Sequence, residues 1–132
     1  MAYGATAAIT VDNATPKTRQ KVTYTVTVTN SGTVDIVIDG VDPVSDASLP
    51  IVVGNVNPVG GYSHAGSYEA TVGYGTKTVT NGGGTATFTF TAVPEIAATY
   101  YMNAVANGTR ADGGTRIAIP TTAAVSIVAT DP

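Results

Sequence analysis

The strongest constraint on this chain is a strict alternation of apolar and threonine residues over positions 21–30, which read KVTYTVTVTN. A period of two residues is that of a β-strand with one face buried and the other face open to solvent. The residues expected on the buried face are Val22, Tyr24, Val26 and Val28. The run stops at Asn30-Ser31-Gly32-Thr33, a cluster of turn-forming residues. This segment therefore predicts a half-buried strand followed by a tight turn.

Further short strands are predicted along the rest of the chain, and no segment has the period of a helix. Residues 76–80 and 85–92 flank Asn81-Gly82-Gly83-Gly84, which predicts a β-hairpin because glycine tolerates a positive φ. Pro120 is expected to separate the last two strands. The remaining predicted strands cover residues 5–11, 35–41 (closed by Asp42-Pro43), 50–56 (with a bulge at Gly54), 68–74, 98–107, 115–119 and 123–130.

Seven to nine short strands with turns every eight to twelve residues predict an immunoglobulin-like antiparallel β-sandwich. The 132 residues suit a single domain over positions 1–132. Since the chain has no cysteine, the sandwich is expected to form without a disulfide. The core has no Trp and only two Phe, so we expect modest stability and association with copies of itself or with another protein.

Two segments resemble known immunoglobulin-like domains. Residues 94–104, PEIAATYYMNA, resemble the start of strand F, which implies that Tyr100 forms the tyrosine corner and that Met102 stands in place of the usual cysteine. Residues 24–33, YTVTVTNSGT, resemble strand B of bacterial and archaeal surface-repeat domains, and DGVDP at 39–43 resembles the segment that follows it. Both motifs are structural, so they imply a fold and no functional residues.

The charge of the chain argues against polyanionic partners. The net charge is −3 and 11% of the residues are charged, which provides no basic surface for nucleic acid or an anionic membrane. No apolar run approaches the roughly 18 residues of a membrane-spanning helix, and the first residues lack the features of a secretory signal. We therefore expect synthesis in a cytoplasm, with neither nucleic acid nor membrane as a partner.

The residues that could carry chemistry are few, so we expect no enzyme and no cofactor. His64 is the only histidine, and Glu69 and Glu95 are the only glutamates, in separate predicted segments. Oxygen-rich loops bind Ca²⁺, which makes Asp39, Asp42 and Asp46 weak candidates for a metal site. Aspartates beside Gly and Pro usually form turns, and we expect that role here and no bound metal.

Two segments are candidates for a protein interface. Arg110, Asp112 and Arg116 surround Gly113-Gly114, which predicts either a recognition loop or a solvated hairpin tip. The N-terminal segment 1–6, which begins Met1, Ala2 and Tyr3, is expected to act as an arm that adds a strand to an exposed sheet edge.

Together these features favour a virion structural protein that resembles bacteriophage head-decoration, or cement, proteins in type and size. The expected partners are the major capsid protein or copies of the same chain in a symmetric assembly, and the expected location is the capsid surface. One alternative is an adhesin or filament module of a secreted surface protein. A second is a carbohydrate-binding module that uses Tyr62, Tyr68 and Tyr74 as a stacking surface.

Overall fold

The computed structural model describes residues 4–45, 51–54, 77–114 and 116–132, and these form an all-β, antiparallel sandwich, as predicted. The 21–30 alternation becomes a strand in which buried and half-buried positions alternate without exception. The strands are β1 (Ala5–Val11), β2 (Val22–Asn30), β3 (Ile36–Ser45), β4 (Ile51–Gly54), β5 (Lys77–Val79), β6 (Gly84–Pro94), β7 (Ala98–Arg110), β8 (Arg116–Pro120) and β9 (Val125–Ala129).

The strands form two sheets. The first has the order β1-β2-β6-β4, and the second has the order β5-β3-β7-β8, with β9 also paired to β7. Strand β7 is long enough for β9 to pair with its first half and β8 with its second half. Pro120 ends β8, so the predicted division of the last strand into two pieces is confirmed.

The core lies between the sheets and takes one residue in two from each central strand. Tyr24 and Phe90 face each other across β2 and β6 with ring centroids 5.2 Å apart and planes at 19°. Each large side chain buried in this way contributes about 1.5–3 kcal/mol relative to an exposed one. The largest fully buried side chains are Tyr24, Tyr100, Phe88, Phe90, Ile36, Ile38, Met102, Ile127, Val22, Val26 and Val28.

The N-terminal part of the chain pairs with both sheets. Strand β1 pairs with β2, and residues 14–18 then run parallel to the end of β9. Val128 N donates to Ala14 O at 2.8 Å, and Thr18 N donates to Thr130 O at 2.9 Å. Backbone hydrogen bonds therefore close one side of the sandwich.

The predicted hairpin over residues 76–92 is wrong. Strand β5 pairs with β3 in one sheet, whereas β6 pairs with β2 in the other sheet. The segment between them does form a tight turn, in which Gly84 N donates to Thr80 O at 3.1 Å. A local turn signal does not determine which sheet receives each flanking strand, since that choice depends on distant pairing partners.

The prediction that Asp42-Pro43 closes the third strand is also wrong, because β3 continues to Ser45. Pro43 lies opposite Ala104, whose N–H donates to Thr121 Oγ1 at 3.2 Å on the β8 side. Two residues directly opposite in an antiparallel pair either hydrogen-bond to each other or both direct their backbone groups away from each other. Because the Ala104 N–H is directed towards β8, the Pro43 nitrogen faces away from β7. A proline is tolerated in a strand where its missing N–H faces an edge.

A β-bulge lies in β3, where the register with β7 shifts between Ile38 and Gly40. The bulge predicted at Gly54 is absent from the described part of β4, which pairs regularly with β6 up to that residue. Opposite the β3 bulge is Gly108, where an added Cβ would collide with the Val37 carbonyl oxygen and lie 3.0 Å from Ile38 Cδ1. This close approach of two backbones requires glycine.

We expect Gly108→Ala to lower the free energy of unfolding by about 2–3 kcal/mol, because the new methyl group meets a backbone oxygen that cannot rotate away. The neighbouring Thr109→Ala should cost at most about 1 kcal/mol, the range of strand propensity. Urea denaturation of both variants measures the difference. Equal losses would contradict the close approach.

Candidate functional site

The register places several loops at one end of the sandwich. Asn30 pairs with Ala5 on one side and with Gly84 on the other, and Arg110 at the end of β7 pairs with Ile36. We call this the Asn30 end. It is made of Gly4 and the turns at residues 31–35, 80–83 and 111–114.

The buried side chain of Asn30 holds this end together. Its Nδ2 donates to Val34 O at 2.8 Å and to Val79 O at 3.0 Å, and its Oδ1 accepts from Gly32 N at 3.0 Å. Its backbone oxygen also accepts from Gly83 N at 2.7 Å. Since Asn30 lies in the first sheet and Val79 in the second, the amide links the two sheets.

Asp35 joins two further turns at the same end. Its Oδ1 accepts from Asn81 N at 2.8 Å and from Asn81 Nδ2 at 2.7 Å. Its backbone oxygen accepts from Ala111 N at 2.9 Å. The 80–83 and 111–114 turns are therefore fixed to the same residue.

The structure brings the predicted pair Arg110 and Asp112 together but leaves the pair mostly satisfied within its own turn. Arg110 Nη2 lies 2.7 Å from Asp112 Oδ2, while Asp112 Oδ1 accepts from Gly114 N at 3.2 Å. Arg110 Nε is buried and has no hydrogen-bond partner among the described residues. Arg116 is exposed at the start of β8, across the turn. The cluster is therefore a turn whose Arg110–Asp112 pair is bonded internally.

The predicted N-terminal arm, residues 1–6, is too long, because its last residues belong to the sandwich itself. Ala5 and Thr6 belong to β1 and pair with Asn30 and Thr29 of the same chain, so they cannot pair with a partner's sheet edge by that side. Gly4 is also fixed, since its oxygen accepts from Ser31 N at 3.2 Å and Ser31 Oγ at 2.7 Å. Met1, Ala2 and Tyr3 lie outside the described residues.

Tyr100 lies near the opposite end of the sandwich, where β6 ends at Pro94 and residues 95–97 lead into β7. We call this the Pro94 end. Its hydroxyl donates to Ile96 O at 2.7 Å and accepts from Ile96 N at 3.1 Å. The predicted tyrosine corner is therefore confirmed, and Met102 is fully buried at the expected cysteine position. Tyr101 points to the other face and is half exposed, as the strand register predicted.

The second buried tyrosine, Tyr24, differs from Tyr100 in the hydrogen bonding of its hydroxyl. Among the described residues, the hydroxyl of Tyr24 has no hydrogen-bond partner. Burial raises the pKa of the Tyr24 phenol well above its ordinary value, and the negative charge of Asp12 adds to this effect. The phenol therefore stays neutral. Burial of its hydroxyl without a hydrogen bond lowers the stability of the folded state by the free energy of desolvation.

A basic turn at the Pro94 end went unnoticed at the level of sequence. Lys17, Arg19 and Lys21 are half of the six basic residues of the chain, and all three are exposed. Arg19 has a positive φ of 66°, which is uncommon for a residue other than glycine. Its N–H donates to Pro94 O at 2.8 Å, so backbone bonding fixes this conformation. Three cations within five residues were the available signal.

The other predicted sites remain predictions. Asp39 lies at the bulge of β3 and Asp42 lies further along the same strand, so the turn expected between them is not there. Asp46 lies outside the described residues, as do Tyr62, His64, Tyr68, Glu69 and Tyr74. Within the described residues, no group of three or more His, Cys, Asp or Glu is placed to hold a metal ion. In the described parts of the chain there is no helix long and apolar enough to cross a membrane.

The outer face of the first sheet carries rows of threonine. The register aligns Thr6 with Thr29 and Thr85, and Thr10 with Thr25 and Thr89. We call this surface the threonine face. It also includes Ala8, Thr23, Thr27, Thr87 and Thr91.

Comparison with known proteins supports the fold alone. No family model and no curated protein matches the chain. The sporulation control protein Spo0M of Bacillus subtilis has a TM-score of 0.53 at 17% identity, over 98% of this chain and 50% of that one. The chain thus spans half the length of Spo0M.

Two other solved structures are similar over most of their own length. A CARDB domain from Pyrococcus furiosus, crystallised with di-metal ions, has a TM-score of 0.54 at 13% identity, over 97% of this chain and 94% of that one. The cupredoxin domain of amoB from Nitrosocaldus yellowstonii has a TM-score of 0.51 at 10% identity, over 99% and 90%. At these identities the similarity identifies a β-sandwich and transfers no function.

Replacement by phenylalanine should affect the free energy of unfolding differently at the two buried tyrosines. Tyr100→Phe removes two hydrogen bonds and should lower the free energy of unfolding by about 1–2 kcal/mol. Tyr24→Phe keeps the ring on Phe90 and removes an unpartnered hydroxyl, so stability should be unchanged or rise by up to about 1 kcal/mol. Tyr101→Phe, at an exposed position, is the control and should have little effect. Thermal and urea unfolding of the three variants test this order, and a loss at Tyr24 equal to that at Tyr100 would contradict it.

Metal removal should leave the stability unchanged. Asp39 and Asp42 lie in a paired strand, whereas calcium sites wrap a loop around the ion. Melting curves in EDTA and in excess calcium should therefore superimpose. A ligand at a hundredfold excess over its dissociation constant adds roughly 2.7 kcal/mol, so a bound ion would raise the melting temperature by several degrees.

Proposed function

We propose that this protein is a non-enzymatic virion structural protein that decorates the outer surface of a bacteriophage capsid. It binds the major capsid protein through the Asn30 end, with the N-terminal segment and the 111–114 turn as the contacting parts. The partner is a symmetric protein shell, so many copies bind equivalent positions.

The observation that carries this proposal is that Gly4, the residue that follows the N-terminal segment, and the 111–114 turn both lie at the Asn30 end of the sandwich. Gly4, where the described chain begins, and Arg110 with Asp112 belong to the same set of loops. Asn30 and Asp35 fix these loops by side-chain hydrogen bonds. Loops that are already ordered lose little conformational entropy on binding, which favours a stable contact.

The threonine face supports the same function. Its threonines are uncharged, and Asp12, whose Oδ1 accepts from Thr23 N at 2.9 Å, is the charged residue at its margin. Threonine hydroxyls keep a strand surface hydrated without charge. Copies bound side by side on a shell would therefore meet little like-charge repulsion across this face, although each carries a net charge of −3.

The proposal predicts a major capsid protein in the neighbourhood of this gene, and it is tested by sedimentation of the purified protein with shells assembled from that capsid protein. Deletion of residues 1–3 should weaken shell binding by about tenfold or more, because a strand-like contact is lost, while the melting temperature stays the same. Asp112→Ala, which frees the Arg110 guanidinium and loosens the turn, should also weaken binding.

Lys21→Ala, at the opposite end, is the matched control and should bind like the unaltered protein. Failure of the unaltered protein to bind any shell would reject capsid decoration. Full binding by the truncated protein would reject the Asn30 end as the contact.

A further inference from the structure

Exposed large apolar side chains are concentrated in one region of the second sheet. Among the described residues they are Ile96, Tyr101 and Val128, at 49%, 53% and 46% exposure. Tyr101 lies directly opposite Ser126, and Val128 lies opposite Thr99. Tyr101 and Val128 are therefore diagonal neighbours on the outer face, within reach of an aromatic ring. Ile96 belongs to the turn that leads into the same strand.

The surroundings of Tyr101 are polar but uncharged. Thr99 and Asn103 flank it along β7, and Ser126 and Thr130 lie along β9 on the same side. We call this surface the Tyr101 face. An apolar, tyrosine-containing centre surrounded by small polar side chains is the usual composition of the middle of a protein interface.

The rim of the Tyr101 face carries charges of both signs. Lys17 Nζ donates to Thr130 Oγ1 at 3.2 Å, which places the ammonium group beside β9. Asp131 follows Thr130 in the chain. Arg19 N donates to Pro94 O at 2.8 Å, so Arg19 and Glu95 lie close together at the Pro94 end.

The strained backbone at Arg19 makes this rim a fixed feature. A positive φ at a residue other than glycine persists only where surrounding contacts impose it. Here, besides the Arg19 contact, Lys17 N donates to Gln20 Oε1 at 2.9 Å and Gln20 N donates to Lys17 O at 3.0 Å. The backbone that carries Lys17 and Arg19 is thus held in one conformation before any partner binds.

We propose that the Tyr101 face binds a second copy of this chain in a two-fold symmetric dimer. A two-fold interface brings the same patch of both copies together, so the patch must complement itself. A rim that carries both cations and anions meets this requirement, since cations of one copy can face anions of the other. A uniformly acidic or basic partner would meet like charges along part of the rim.

The outer face of the second sheet, of which the Tyr101 face is the half nearest Pro94, is large enough for such a dimer. Strand β7 has 13 residues and is about 40 Å long, and β3, β7, the β8–β9 pair and residues 14–17 span about 19 Å. The resulting surface of roughly 750 Å² is close to the roughly 800 Å² per partner of a standard interface. Tyr101 and Val128, the apolar centre of the face, lie in β9 and in the first half of β7, away from Arg110 and the Asn30 end.

The test is the oligomeric state of the purified protein by sedimentation velocity over a range of concentrations. The unaltered protein should show a concentration-dependent dimer. Val128→Asp places two like charges at the centre of the interface and should raise the dissociation constant by about a hundredfold. Tyr101→Ser should raise it by about tenfold or more.

The matched control is Thr87→Asp, which adds the same charge at an exposed position of the threonine face and should leave the dimer intact. Melting curves check that each variant is folded at the protein concentration used. Rim complementarity is tested by Lys17→Glu, which should weaken the dimer about tenfold, and by Lys17→Glu with Glu95→Lys, which restores the balance of charge and should recover much of the affinity.

A monomer at every concentration, or a dimer that Val128→Asp leaves intact, would overturn the proposal. A monomeric protein whose binding to capsid shells is lost in Val128→Asp would also overturn it, and would assign the face to the shell. Loss of shell binding on deletion of residues 1–3 with the dimer unchanged would separate this inference from the proposed function.

Discussion

The arrangement of the two sheets depends on the buried amide of Asn30. Both hydrogens of its Nδ2 are used, one on the β2–β3 turn and one on β5, and its Oδ1 accepts from Gly32. A buried amide that loses a partner costs about 1–3 kcal/mol, so the amide favours the one arrangement in which all its partners are in reach. That arrangement places β5 in the second sheet, at the point where the chain crosses back to the first. The turns that build the proposed capsid contact are positioned by the same residue.

The parts of the fold that could be predicted are those whose cause is local. The alternation in β2 identifies its buried face without knowledge of its partners, and Tyr100 bonds to a residue only four positions away. The hairpin prediction failed because the 81–84 turn is local whereas the pairing of β5 with β3 is not. Gly108 could not be interpreted at all, because its need for glycine comes from Val37, more than seventy residues earlier. The basic turn is visible in the sequence as three cations within five residues, but the net charge of the whole chain does not reflect such a local group.

The two outer faces of the sandwich differ although both belong to antiparallel sheets with one buried side. The first sheet presents threonine on every described outward position of β2, while the second presents Tyr101 and Val128 among threonine, serine and asparagine. Strand propensity favours threonine, tyrosine and valine alike, so it does not explain the separation. Solubility does not require exposed tyrosine and valine either. A separation by face is what two different surroundings in an assembly would produce.

Three described stretches of edge in the second sheet, at β8, β9 and β3, favour association through faces rather than through added strands. In β8, the backbone N–H and C=O groups of alternate residues point away from β7, and these residues are Arg116, Ala118 and Pro120. The outer edge of β8 therefore has a charged side chain at one end and a proline without an N–H at the other. The edge of β9 is occupied by residues 14–18, and the outward nitrogen of β3 at residue 43 belongs to a proline. At these described edges a partner strand would find few donors to pair with. At these edges, binding energy therefore has to come from side chains on the faces and from the loops at the ends, where the exposed apolar groups and the hydrogen-bonded polar turns of this sandwich are found.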